Sequence, residues 1–197
     1  MIKKIGMCAV LLLLVNACCV VLRAQVDLSG TWDFEDSTSH IFAPKAPMFD
    51  YESRLVMKQT ATELVIATKS HLELRNKQTG AHKAIYDEDS TMTFYLDGRG
   101  ETNVVAGTSI YSRTELKDKK FKTTYFSGTV DDKKSKKLGT VQIELSRDGQ
   151  KLFVTRKDVG GIRDTGLISV DSEGRLRVDD LMATELNRKD TYKLVSK

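Results

Sequence analysis

The chain predicts an all-β fold, an antiparallel up-and-down barrel of about eight to ten strands of ordinary length, with a two-sheet β-sandwich as the alternative. Three observations lead there. Short runs alternate apolar and polar residues with a period of two, turn chemistry separates them, and a sustained i, i+3, i+4, i+7 helical stripe is nearly absent.

The clearest hairpin runs from Thr140 to Lys157. Val141, Ile143 and Leu145 alternate with Gln142, Glu144 and Ser146, Asp148-Gly149 tolerates positive φ, and Leu152 and Val154 resume the apolar alternation. Upstream, Leu55 to Gln59 faces Glu63 to Thr68 across the turn Thr60 to Thr62, and Met92 to Leu96 leads through Asp97-Gly98 toward Glu101 to Val105. Ser109 to Leu116 and Phe121 to Val130 flank a polar tip at Lys117 to Lys120. Leu167 to Val170 and Arg175 to Val178 flank Asp171 to Gly174, Thr191 to Val195 reads as a closing strand, and a short helical turn is expected near Asp179 to Leu186. Hairpins connect all these strands, and closing such a meander into a barrel removes its exposed edges. A membrane-spanning barrel would need strands of about 9 to 11 residues and an apolar outward band. These strands read shorter, and Lys58, Glu144 and Arg156 are assigned to a wet outer face.

At the amino terminus, Lys3 and Lys4 precede an almost uncharged run from Ile5 to Leu22, and Arg23-Ala24-Gln25 opens a polar sequence. These are the parts of a secretory signal peptide over residues 1–24, with cleavage between Ala24 and Gln25. Two alternatives stand beside it. Val15-Asn16-Ala17-Cys18 resembles a lipobox, which would make the product a lipoprotein anchored through Cys18, and the apolar run is also long enough for an uncleaved anchor of about 17 to 25 residues.

Removing residues 1–24 takes away Lys3, Lys4 and Arg23, which lowers the formal charge from +4 to +1. The remaining domain has no global charge excess to draw nucleic acid or an anionic membrane. Cys8, Cys18 and Cys19 leave with the signal, so residues 25–197 carry no disulfide and depend on a hydrophobic core. No linker divides them, and both prolines, Pro44 and Pro47, fall in one early loop. The expectation is a single exported domain, periplasmic or secreted, with no transmembrane segment once the signal is removed.

Asp27-Leu28-Ser29-Gly30-Thr31-Trp32 resembles the G-x-W strand of lipocalins and the broader calycin group, and Asp-Gly hairpins follow it as in bacterial lipocalin-like exported domains. The resemblance implies a barrel closed at one end by Trp32. It also implies a basic residue from near the last strand lying over that ring, a cation–π contact worth about 0.5 to 2 kcal/mol. Arg188, Lys189 and Lys193 are the candidates.

The loop from Ser37 to Tyr51 holds Ile41, Phe42, Met48, Phe49 and Tyr51, too many large apolar side chains to lie free in water. In lipocalin-like barrels such a loop covers the open mouth, which makes Phe42, Met48 and Phe49 candidate contacts for a small apolar or amphipathic ligand. The plainer reading has them plug the barrel as core. No catalytic constellation, metal set or cofactor motif is legible. His40, His71 and His82 lack paired ligand spacing, and His71-Leu72-Glu73 reads as a solvated cross-strand face. Gly107 to Tyr111 lacks the nucleophile-elbow pattern, Asp87-Glu88-Asp89 reads as a solvated turn, and Lys133 to Lys137 reads as a charged hairpin tip. The function expected is an exported, non-catalytic binding module. An envelope interaction or inhibitor protein with a filled barrel is the alternative.

Overall fold

The computed structural model describes residues 26–39, 42–44, 49–76, 79–105, 108–117, 120–129, 131–157, 168–170, 176–178 and 187–197. Expectations for the signal peptide, Ala24, Gln25, Cys18, Met48 and the helical turn at 179–186 therefore lie outside the described residues. Among the described residues twelve strands are present: β1 Gly30–Ser37, β2 Phe49–Gln59, β3 Glu63–Arg75, β4 His82–Tyr95, β5 Glu101–Val105, β6 Thr108–Lys117, β7 Lys120–Phe126, β8 Lys137–Leu145, β9 Lys151–Lys157, β10 Ile168–Val170, β11 Leu176–Val178 and β12 Arg188–Ser196. Ten of them form one antiparallel sheet in the order β4-β3-β2-β1-β12-β9-β8-β7-β6-β5, and β10 and β11 pair separately as a hairpin.

This is the expected up-and-down antiparallel order, with the first and last strands of the large sheet in sequence side by side. The sheet closes at a seam between β4 and β5, where side chains replace a ladder. Asn103 Oδ1 accepts from Thr93 N–H at 2.8 Å, Asn103 Nδ2 donates to Thr93 O at 2.9 Å, and Glu101 Oε2 accepts from Tyr95 N–H at 3.3 Å. An edge that would otherwise leave buried backbone groups unpaired is thereby satisfied.

Strand lengths depart from the sequence reading. β2, β3 and β4 have 11, 13 and 14 residues, and Asp87-Glu88-Asp89 lies inside β4 rather than in a turn. Asp87 sits opposite His71 and Asp89 opposite Lys69, while Glu88 faces inward opposite Ser70, and the cross-strand charge matching of the outer pair carries the strand through an acidic triplet. The long strands still do not make a membrane barrel. Their outward positions are largely charged or polar, which is not the apolar outward band that lipid requires. Among the described residues no helix is long and apolar enough to cross a membrane.

The core gathers inward residues from around the barrel, including Leu55, Met57, Leu64, Ile66, Phe94, Phe121, Ile143, Leu152, Val154 and Tyr192, packed about Trp32 and Leu28, which are 0% exposed. Trp32 Nε1 donates to Leu28 O at 3.1 Å. Leu28 itself is held by the Gln59 amide, whose Oε1 accepts from Leu28 N–H at 2.9 Å while its Nε2 donates to Val26 O at 2.7 Å. Gly30 is required by geometry. Its φ is +143°, and a Cβ there would stand 2.8 Å from Ser196 O and 3.0 Å from Leu194 Cδ1. The basic residues near the last strand do not cover the indole: Arg188 lies 3.7 Å from the Phe42 ring centre and Lys189 lies 4.2 Å from that of Phe153. Alternation explains the difference, because residues 188 and 189 face opposite sides of β12 at the end of that strand remote from Leu194 and Gly30.

Candidate functional site in the polar half of the barrel

On six strands the inward positions shift from apolar to polar in the same direction, with β3 turning apolar again at Leu72. On β2 they run Met57, Leu55, Ser53, Tyr51, on β3 Leu64, Ile66, Thr68, Ser70, and on β12 Leu194, Tyr192, Asp190, Arg188. On β9 they run Leu152, Val154, Arg156, on β7 Phe121, Thr123, Tyr125, and on β4 Phe94, Met92, Ser90, Glu88. Because the strands are antiparallel, these gradients align. The half of the barrel near Trp32 is a packed apolar core, and the other half is polar.

The polar half is hydrogen-bonded throughout, as burial demands. Ser53 Oγ lies 2.9 Å from Ser70 Oγ and 3.3 Å from the Tyr192 hydroxyl. Ser112 and Thr114 donate to Glu101 Oε1 at 2.7 and 3.0 Å, Thr114 meets Thr123 at 2.8 Å, and Ser90 donates to Glu88 at 2.6 Å. At its centre stands Asp190, 0% exposed, which accepts from Ser37 Oγ at 2.7 Å, from Arg188 Nε at 3.0 Å and from Arg156 Nη1.

Arg156 shares the inward face of β9 with Leu152 and Val154, which corrects its assignment to the outer surface: the partner that draws it inside is on β12. Burial works against its charge, but Asp190 and then the phenols of Tyr192, Tyr51 and Tyr125 more than offset this and raise its pKa above the ordinary arginine value. Burial likewise raises the Tyr192 phenol, with Tyr51 adding to the effect, and pushes Tyr125 up to about 12. At neutral pH the site therefore presents a permanent cation and neutral hydroxyl donors. The Arg156 side chain is 27% exposed although it points inward, so solvent reaches it within the polar half.

Phe42 and Phe49 are at this end. Phe42 is 2% exposed, packs on Leu72 with Phe49 and Tyr51 alongside, and meets the Tyr51 ring edge-on at 4.8 Å. Phe34 adds a further edge contact to Tyr51 at 4.9 Å and one to Tyr192 at 5.8 Å. Phe49 opens β2, opposite Leu74, instead of standing in the loop. The chain leading to Phe42 is tied to the charge cluster, since Ser39 N–H donates to Ser37 Oγ at 3.2 Å, Phe42 N–H donates to Ser39 Oγ at 3.2 Å, and Ser37 holds Asp190. The sequence reading missed Arg156, Asp190, Tyr51 and Tyr192. The signal was available in the switch from aliphatic to hydroxyl or charged residues midway along the apolar face of these strands.

A cavity of about 750 Å³ lies over β1 to β4, lined by the inward-facing Phe34, Tyr51, Ser53, Ser70 and Glu88 as well as by outward-facing charged residues that include Asp33, Arg54 and His71. Its charges are largely paired, with Arg54 bidentate to Asp33 at 2.6 and 2.8 Å and His71 between Glu73 at 2.8 Å and Asp87 at 2.6 Å. Among the described residues no group of three His, Cys, Asp or Glu side chains could hold a metal ion.

No family model matches the chain, and no curated protein does. Among solved structures it is similar to an asparagine-to-alanine mutant of the fluorescent protein UnaG, at 17% identity and a TM-score of 0.44 over 86% of this chain and 97% of that one. Wild-type UnaG follows at 15% identity and a TM-score of 0.43 over 85% and 97%, and an asparagine-to-glutamine mutant at 14% and 0.39 over 85% and 96%.

Proposed function

We propose that this protein is a non-catalytic binding module that holds a small amphipathic molecule in the polar half of its barrel. The observation that carries the reading is Arg156, an inward-facing and partly exposed cation near the phenols of Tyr192, Tyr51 and Tyr125, with Phe34 and Phe42 packed edge-on against Tyr51. Such a site receives the apolar part of a ligand against aromatic rings and its acidic or acceptor-bearing end at the guanidinium. Phe42 and Phe49 are proposed as its contacts on the loop side, with Met48 beside them in sequence. Export to the periplasm or beyond belongs to the same proposal, as does the lipocalin-like affinity of the domain.

A second reading has its own observation. Phe42 is almost fully buried and stacked by Arg188, as a fixed plug would be, and a filled barrel would act through its surface as an interaction or inhibitor protein. Binding of a fluorescent long-chain fatty acid and of its methyl ester separates the two. The wild type is expected to bind the acid more tightly than the ester, Arg156→Met to lose that preference, and a Phe42→Ser, Phe49→Ser variant to lose binding while remaining folded. Absence of binding by the wild type, with a large stability loss in the double variant, would make these side chains core and put the filled barrel ahead.

A further inference from the structure

Charge is sorted between the two walls of the barrel in a way that the near-neutral total conceals. The adjacent strands β7, β8, β9 and β12 turn seven exposed lysines outward: Lys120, Lys122, Lys137, Lys151, Lys157, Lys189 and Lys193. Two carboxylates offset part of this charge, the half-buried Glu144 paired with Lys120 at 2.5 Å and Glu35 of the neighbouring β1 paired with Lys151 at 2.7 Å, which leaves Lys122, Lys137, Lys157, Lys189 and Lys193. The opposite wall, β2 to β4, is mixed, with Arg54, Lys58, Lys69 and Arg75 balanced by carboxylates of the same strands. The loop before β8 extends the basic wall with Lys133, Lys134 and Lys136.

We infer that the β7-β8-β9-β12 wall docks on an anionic lipid bilayer. The cation type argues for this partner over a nucleic acid. The arginines of these strands, Arg156 and Arg188, face inward on Asp190, so the described outer faces of the four strands offer flexible, strongly hydrated ammonium groups, and the exposed Arg147 stands apart in the turn between β8 and β9. Nor do the outward aromatic rings described on this wall form an open stacking platform, because Phe153 is covered by Lys189 at 4.2 Å and Phe126 is half-buried opposite Tyr111. A broad, slightly curved field of point charges suits a surface whose charge is itself spread out and mobile, where each lysine brought close contributes about a fivefold gain in affinity.

The test is co-sedimentation of the folded chain with phosphatidylcholine vesicles, with and without a minority of phosphatidylglycerol. A triple variant Lys122→Gln, Lys157→Gln, Lys193→Gln is compared with Lys58→Gln, Lys69→Gln, Arg75→Gln, which removes the same net charge from the other wall. Wild-type binding is expected only with phosphatidylglycerol, to fade at high salt, and to weaken by about tenfold or more in the first triple and little in the second. Equal weakening in both triples would reduce the effect to total charge and overturn the docking face. So would absence of binding to the anionic vesicles at low salt, or tighter binding to polyglutamate or single-stranded DNA than to those vesicles.

Discussion

The Asp190 carboxylate on β12 and the Arg156 guanidinium on β9 meet inside the barrel, with Asp190 fully buried and Arg188 sharing the same carboxylate oxygen. Removing the acid strands two inward-facing cations. Asp190→Asn is expected to cost about 3 to 5 kcal/mol, the range for breaking a buried ion pair from one side. Asp190→Leu combined with Arg156→Met and Arg188→Met is expected to recover much of that loss, measured by denaturant unfolding.

Trp32 lies at the packed end and is the one tryptophan of the chain, so it reports on the core directly. Native emission is expected to be blue-shifted and to move red on unfolding, and Trp32→Ala is expected to lose about 3 to 5 kcal/mol. A loss below about 1 kcal/mol would mean that the core does not depend on this side chain.

Gly30 and Gly149 both have positive φ, but only Gly30 has neighbours where a Cβ would go. Gly149→Ala carries conformational strain alone, whereas Gly30→Ala adds contact with the β12 backbone. Thermal unfolding is expected to show a loss above about 1 kcal/mol for Gly30→Ala and a smaller one for Gly149→Ala.

His71 bonds first to Glu73 and then to Asp87, which raises its pKa above 6.5. A histidine whose folded-state pKa is raised stabilises the fold fully below its unfolded-state value and loses that contribution as pH rises through the folded-state value. The stability difference between wild type and His71→Gln is therefore expected to be largest below pH 6.5 and to shrink above it. An NMR titration of the ring that gives a value at or below 6.5 would contradict the ion-pair network.

Protein recovered from cells is expected to begin at Gln25 on intact-mass analysis. A diacylglyceryl adduct on Cys18 would establish the anchored alternative, and an intact amino terminus would establish the signal anchor.

The strands themselves were legible because alternation and Asp-Gly turns are local: β8, β9 and their turn appear where Val141 to Val154 place them. Gly30 and Trp32 were legible as a motif, although the reason for the glycine is a β12 carbonyl more than 160 residues away in sequence. Alternation, however, says which residues share a face and not which face a terminal polar residue joins. Arg156 has the parity of Leu152 and Val154 yet was placed outside, because a cation belongs in water unless a buried acid awaits it, and Asp190 arrives from 34 residues on. The length of β4 depended in the same way on His71 and Lys69 across the sheet. The sequence by itself thus determined the strands, their turns and an apolar core. The closing of first strand against last, the polar half around Arg156 and the segregation of lysines onto one wall were decided only by tertiary structure, because each depends on long-range pairings that a local pattern of residues does not encode.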